Sequence, residues 1–142
     1  MVLLSDKAYR LITEHVNGAY PHEACGVLLG SADGTRIDHI SQAENAVKSG
    51  NADERFYIDP VWLYGIERES EKAGRQVLGF YHSHPDRPAV LSNEDKDHMI
   101  PGMIYLIASV TGRECKDIKG YKKESADGSA REIKIIREAA LN

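Results

Sequence analysis

Cysteine is scarce in this chain: Cys25 and Cys115 are the only two among 142 residues, and they sit in no C-x-x-C or framework spacing. That excludes a disulfide-stapled scaffold and suits a reducing compartment. Long apolar runs are also missing. The longest, Met103 to Ala108, falls far short of the roughly 20 residues that span a bilayer. Met1 to Leu4, followed by Ser5-Asp6-Lys7, has no apolar core of the kind a signal peptide carries. The expected location is therefore the cytoplasm, with no membrane partner. Charge of one sign is not concentrated either. The net charge of −4 is spread along the chain, with no basic stripe for a phosphate backbone, so nucleic acid is not an expected partner. No repeat, low-complexity tract or linker interrupts the sequence.

What is present is ordinary for a soluble globular protein: 42% hydrophobic and 28% charged residues. The length fits one domain over residues 1–142, able to bury roughly two-thirds of its unfolded surface.

Ala8, Leu11, Ile12, His15, Val16, Ala19 and Tyr20 recur at helical spacing, with Ser5 or Asp6 as cap and Pro21 as terminator. Cys25 to Gly30 reads as a buried strand, Ser31 to Gly34 as a turn and Arg36 to Ser41 as a returning strand. Residues 44–54 read as a long loop and Phe56 to Ile58 as a short strand. Asp59-Pro60 opens a helix with Trp62, Leu63, Ile66 and Ala73 inward and Gly74 at its end. Val77 to His84 is a strongly apolar strand. Ser92 opens a short helix that stops before Pro101, and Met103 to Val110 is another buried strand. Segments near 114–123 and 130–137 suggest a hairpin around Asp127-Gly128. Helices interspersed with strands imply an α/β class, a mixed sheet covered by helices.

The informative stretch begins at His82-Ser83-His84 and ends at Ser92-Asn93-Glu94-Asp95. Residues two apart on a strand share a face, so His82 and His84 present two imidazoles together. Two imidazoles and one carboxylate are a recurring open zinc set with a fourth position for water. Asp95 supplies the carboxylate if the Pro85–Leu91 loop folds the next helix back over the strand's end. Each residue also has a plainer account: polar strand-end histidines, a Ser92 helix cap, and an Asp95 favoured by the helix dipole. Chance yields the joint H-x-H-x7-S-x2-D spacing roughly once per thousand such chains, which favours the metal.

A water polarised by zinc still needs a base. There are 22 acidic residues, and spacing alone does not choose among them. Glu23 stands out because it heads an apolar strand, although a carboxylate there also marks an exposed strand end.

Taken together, His22-Glu23-Ala24-Cys25-Gly26, His82-Ser83-His84-Pro85 and Ser92-Asn93-Glu94-Asp95 resemble the JAMM (MPN+) metalloprotease family: an upstream Glu, H-x-H, seven residues, Ser, two residues, Asp. The likeness runs from the first helix to the strand after Asp95. The Glu23–Leu28 run resembles the bacterial branch that includes the Mec peptidase acting on the sulfur carrier CysO. The resemblance implies a mixed, curved sheet flanked by helices, of cytidine-deaminase-like architecture. It implies one zinc ion on His82, His84 and Asp95, with Glu23 as general base and Ser92 as donor to the oxyanion. It further implies a peptidase or isopeptidase cutting after the C-terminal tail of a ubiquitin-like or sulfur-carrier protein. The leaving group, a free amino acid or a lysine side chain, stays open. One chain's residues do not decide for or against a homodimer.

Four alternatives compete, one of them a RadC-like DNA-repair branch, which carries Asn between the histidines where this chain has Ser83. Non-catalytic scaffolds of this fold usually lack part of the His-His-Asp set, which is complete here. Two-His-one-carboxylate iron oxygenases usually sit on all-β barrels. Zinc deaminases need a P-C-x-x-C pair that is absent. Among the remaining residues, His15, His22, His39 and His98 read as surface or amphipathic positions and Cys25 as a small packing residue. Trp62 and Ile66 read as core, and Arg87 with the 44–54 loop as a candidate groove lining.

Overall fold

The computed structural model describes residues 1–44 and 58–138. In chain order these form β1 (Val2–Leu4), α1 (Asp6–Ala19), β2 (Cys25–Gly30), β3 (Arg36–Ala43), α2 (Pro60–Lys72) and β4 (Gln76–Pro85). There follow α3 (Asn93–Asp97), β5 (Ile104–Thr111), β6 (Glu114–Lys122), β7 (Arg131–Ile133) and β8 (Ile135–Arg137).

All eight strands belong to one mixed sheet ordered β7-β6-β5-β4-β2-β3-β1-β8. β4 and β5 run parallel, as do β1 with β3 and with β8, while the other neighbours are antiparallel. The two edge strands, β7 and β8, are separated in sequence by Lys134 alone. One residue cannot span an open eight-stranded sheet, because each residue reaches at most about 3.6 Å. The sheet therefore curls until its edges approach, nearly closing on itself.

Apolar residues fill both faces. Alternation along β2 and β4, interrupted by a register shift between Val77 and Gly79 that turns Leu78 over, sends Leu28, Leu78 and Tyr81 to one side, where Ala8, Ile12 and Val16 of α1 cover them. Val27, Leu29 and Phe80 point to the other, beneath Trp62, Leu63 and Ile66 of α2 and the buried Ala89 and Leu91. β2 is buried throughout, as a strand covered on both faces must be. Gly79 lets β4 lie against β5, since a Cβ there would be driven into the Ile104 backbone.

The helix signals act as expected. The Ser5 side chain accepts from the Ala8 amide at the start of α1, and that of Asp59 from Val61 ahead of Pro60 in α2. Gly74, at φ +75°, follows the end of α2.

Several expectations need correction. The Val2–Leu4 strand was not foreseen, because three residues carry no readable period. The segment at 130–137 is not one hairpin arm: β7 pairs with β6, and β8 crosses the seam to pair with β1. Ala73 is exposed, lying past the last inward turn of α2, and Trp62 and Ile66 are only half-buried. Ile58 is not in a strand; the rest of the expected 56–58 strand, and residues 45–54 of the expected loop, lie outside the described residues.

Candidate metal centre

β4 carries His82 and His84 on the α2 side of the sheet, near its C-terminal end, both almost fully buried. Their Nε2 atoms lie 3.2 Å apart. The loop after β4 must then reverse the chain, and nearly every residue in it is tied down. The Asp86 amide donates to the Val110 carbonyl, and the Tyr20 hydroxyl donates to the Asp86 carboxylate. The Arg87 carbonyl accepts from the Ser109 hydroxyl, and that of Ala89 from the Tyr121 hydroxyl. The Pro88 carbonyl meets His84 Nδ1 at 3.0 Å.

That reversal returns α3 over the end of β4. Ser92 and Asp95 form a reciprocal cap: the Asp95 amide donates to Ser92 Oγ at 3.0 Å, and the Ser92 amide donates to Asp95 Oδ2 at 2.9 Å. The cap aims the Asp95 carboxylate at the histidines, 3.3 Å from His82 Nε2 through Oδ1 and 3.3 Å from His84 Nε2 through Oδ2.

Glu23 arrives from the other side, just before β2, and is 4% exposed, so it does not mark an exposed strand end. Ser83, the residue between the two histidines, points to the opposite face and holds this segment. Its Oγ accepts from the Ala24 amide at 2.8 Å and its own amide donates to the Ala24 carbonyl. Arg87 Nη2 donates to Glu23 Oε1 at 3.1 Å, whereas Glu23 Oε2 is buried with no hydrogen-bond partner among the described residues.

The electrostatics follow from this packing. Burial pushes the Glu23 carboxyl from its ordinary 4.5 up to about 7, against the pull of Arg87 and His84. Burial also opposes ionisation of Asp95, but the contacts with His82 and His84 and the Ser92 amide outweigh it and hold the carboxyl below the usual range. Burial lowers the pKa of His82, favouring the neutral imidazole a metal requires. Cys25, fully buried opposite His82 on β2, has its thiol pushed up to about 12 by burial, which leaves it inert packing.

A tetrahedral zinc at about 2.0–2.2 Å from its ligands needs ligand atoms about 3.3–3.5 Å apart. The two Nε2 atoms sit 3.2 Å apart, and each lies 3.3 Å from a different oxygen of Asp95, spacings close to those an ion of this kind needs. Glu23, His82 and His84 also converge, with one atom of each within 4.8 Å of the others. Two carboxylates thus adjoin the imidazole pair. Asp95 touches both rings, one oxygen to each, while Glu23 Oε1 contacts Arg87.

A family model described as prokaryotic homologs of the JAB domain matches residues 5–121. The chain belongs to the JAB domain family. Its similarity to solved and curated proteins agrees. A protein of Haloferax volcanii named desampylase is 37% identical over 101 residues, 70% of this chain and 71% of that one. A solution structure from Desulfitobacterium hafniense has a TM-score of 0.83 at 31% identity, covering 99% of this chain and 95% of that one. A JAB1/MPN domain protein from Archaeoglobus fulgidus shares the fold, with a TM-score of 0.61 at 19% identity over 96% of this chain and 97% of that one. The MPN resemblance carried by the motif, and the mixed, curved sheet it implied, therefore hold for this JAB domain.

Of the other residues singled out from sequence, His22 and His98 are exposed. His15 is not a simple surface position, since its Nδ1 lies 2.6 Å from the buried Tyr81 hydroxyl. Sequence reasoning left Arg87 as one candidate among groove residues and assigned nothing to Ser83. The signal for Ser83 was a small hydroxyl between two histidines in a buried strand.

Proposed function

We propose that this JAB domain, taken as one domain over residues 1–142, is a zinc-dependent peptidase or isopeptidase. It would hydrolyse the amide bond after the C-terminal tail of a ubiquitin-like or sulfur-carrier protein. The observation that carries the reading is the convergence of His82, His84 and Asp95, each imidazole Nε2 3.3 Å from an Asp95 oxygen, beside the buried carboxylate of Glu23. The relative named desampylase supports the substrate class.

His82, His84 and Asp95 would hold one zinc ion, which when bound acidifies water and polarises a carbonyl. Contact with the Pro88 carbonyl places the His84 proton on Nδ1 and leaves Nε2 to coordinate. Glu23 accepts the proton of the attacking water on a carboxylate whose pKa of about 7 suits exchange near neutrality. It then delivers that proton to the departing amine. Ser92 Oγ already accepts from the Asp95 amide, so its hydroxyl hydrogen is available to the oxyanion of the tetrahedral intermediate.

No helix among the described residues is long and apolar enough to cross a membrane. Both cysteines are free, which supports placing the protein in the cytoplasm.

The deciding experiment is metal analysis of the purified protein beside His84→Ala, followed by cleavage of a ubiquitin-like protein carrying a tail extension. Near-stoichiometric zinc in the wild type alone, with zinc-dependent cleavage, is the expected result. A wild type that binds no metal would favour a non-catalytic scaffold.

A further inference from the structure

The mechanism above leaves one charged group at the site without a task. Arg87 is held by the rigid loop after β4, where its carbonyl accepts from Ser109 and the neighbouring Asp86 is clamped by Tyr20. Its side chain is 41% exposed, although Nη2 reaches the buried Glu23 Oε1 at 3.1 Å. A guanidinium has five N–H donors in a planar fork. Among the described residues the contact to Glu23 is the one side-chain hydrogen bond it makes, so most of the fork's donors are left for a ligand.

Position decides what that fork can read. A base that returns its proton to the departing amine must lie beside the leaving nitrogen. Arg87 lies against the same carboxylate, so it borders the leaving-group side of the scissile bond. When the leaving group is a single amino acid, its α-carboxylate is only two bonds from that nitrogen. A lysine side-chain leaving group places no charge there. The surroundings are otherwise acidic: Asp95 and Glu94 both lie close enough to disfavour a negative charge on Glu23. Without a cation, an incoming carboxylate would be repelled.

Resting on the peptidase reading above, we propose that Arg87 is a specificity-determining residue that binds the free α-carboxylate of a one-residue leaving group. The preferred substrates are then tails extended by one amino acid. One arm of the guanidinium stays on Glu23 while the remaining donors pair with the carboxylate, a charge-assisted contact of the kind arginine makes in fork geometry.

The test uses the zinc-loaded full chain and a ubiquitin-like protein extended by one alanine, prepared as the free acid and as the C-terminal amide. The wild type should cleave the acid about tenfold or more better in kcat/KM, chiefly through KM. Arg87→Ala, with zinc content and melting temperature checked, should lose that preference, and Arg87→Lys should recover part of it. Equal cleavage of acid and amide by the wild type would overturn the role of Arg87 while leaving the peptidase reading intact. So would a preference that survives in Arg87→Ala. Cleavage of neither substrate by the wild type would overturn both.

Discussion

The Nε2 atoms of His82 and His84 lie 3.2 Å apart, and each is 3.3 Å from an oxygen of Asp95. Under the proposed function, a cation held among these three residues takes up both nitrogen lone pairs and the carboxylate charge at once. Zinc should accordingly bind the folded state and raise its melting temperature. A free-ion concentration a hundredfold above Kd corresponds to about 2.7 kcal/mol. Thermal scans with zinc and then with excess chelator should show the shift appear and reverse in the wild type. In His84→Ala the scan should not respond to either addition.

Glu23 predicts a pH effect of definite sign in the metal-free protein. Its carboxyl titrates near 4.5 when unfolded and at about 7 when folded. The folded state thus binds the extra proton between those values. Stability from this group is fully present below pH 4.5 and is lost as pH rises to about 7, a loss on the order of 3 kcal/mol. Glu23→Gln should remove that slope, seen in urea unfolding from pH 5 to 8. The same variant should keep zinc and lose most turnover; zinc loss in Glu23→Gln would make Glu23 a ligand instead.

Ser92 caps α3 and, under the proposed function, also donates to the oxyanion, and the two roles are separable. As the cap of α3 it should cost about 1 kcal/mol when replaced by alanine. As oxyanion donor it should cost roughly 10²–10³ in kcat. Ser92→Ala measured by both denaturation and turnover separates them, and a less stable but fully active variant would leave only the cap.

Ser83 offers a test of positioning. Ser83→Ala strands the buried Ala24 amide, which should cost about 1–3 kcal/mol. It also frees the segment that carries Glu23. Turnover should fall while zinc affinity stays near wild type, and Ser83→Thr should recover part of the rate. Loss of zinc together with activity would mean that Ser83 supports β4 as a whole.

Much of this site was legible in one dimension because its parts are local. The two-residue period of a strand puts His82 and His84 on one face whatever the rest of the chain does. The three-residue step from Ser92 to Asp95 is a helix cap wherever a helix starts. The same locality explains why α1, α2, β2 and β4 were readable from caps and apolar periods. Glu23 was different. Glu23 is 59 residues from His82 along the chain, and only the antiparallel pairing of β2 with β4, which sets Cys25 against His82, brings it to the two histidines and buries it.

Tertiary structure alone also decided the closure of the sheet. Val2–Leu4 and Ile135–Arg137 are too short to show a period, and they become strands because each completes the hydrogen bonding of the other across the seam. Arg87 likewise gained its meaning from folding. In sequence it is one cation in a polar loop, and its contact with Glu23 exists because Tyr20, Ser109 and Tyr121 pin that loop across the end of the sheet. The sequence by itself determined which residues could bind a metal, since that depends on spacing within one strand and one helical turn. Which acid and which cation stand beside the metal site was set by strand register and loop anchoring, which act across the whole chain.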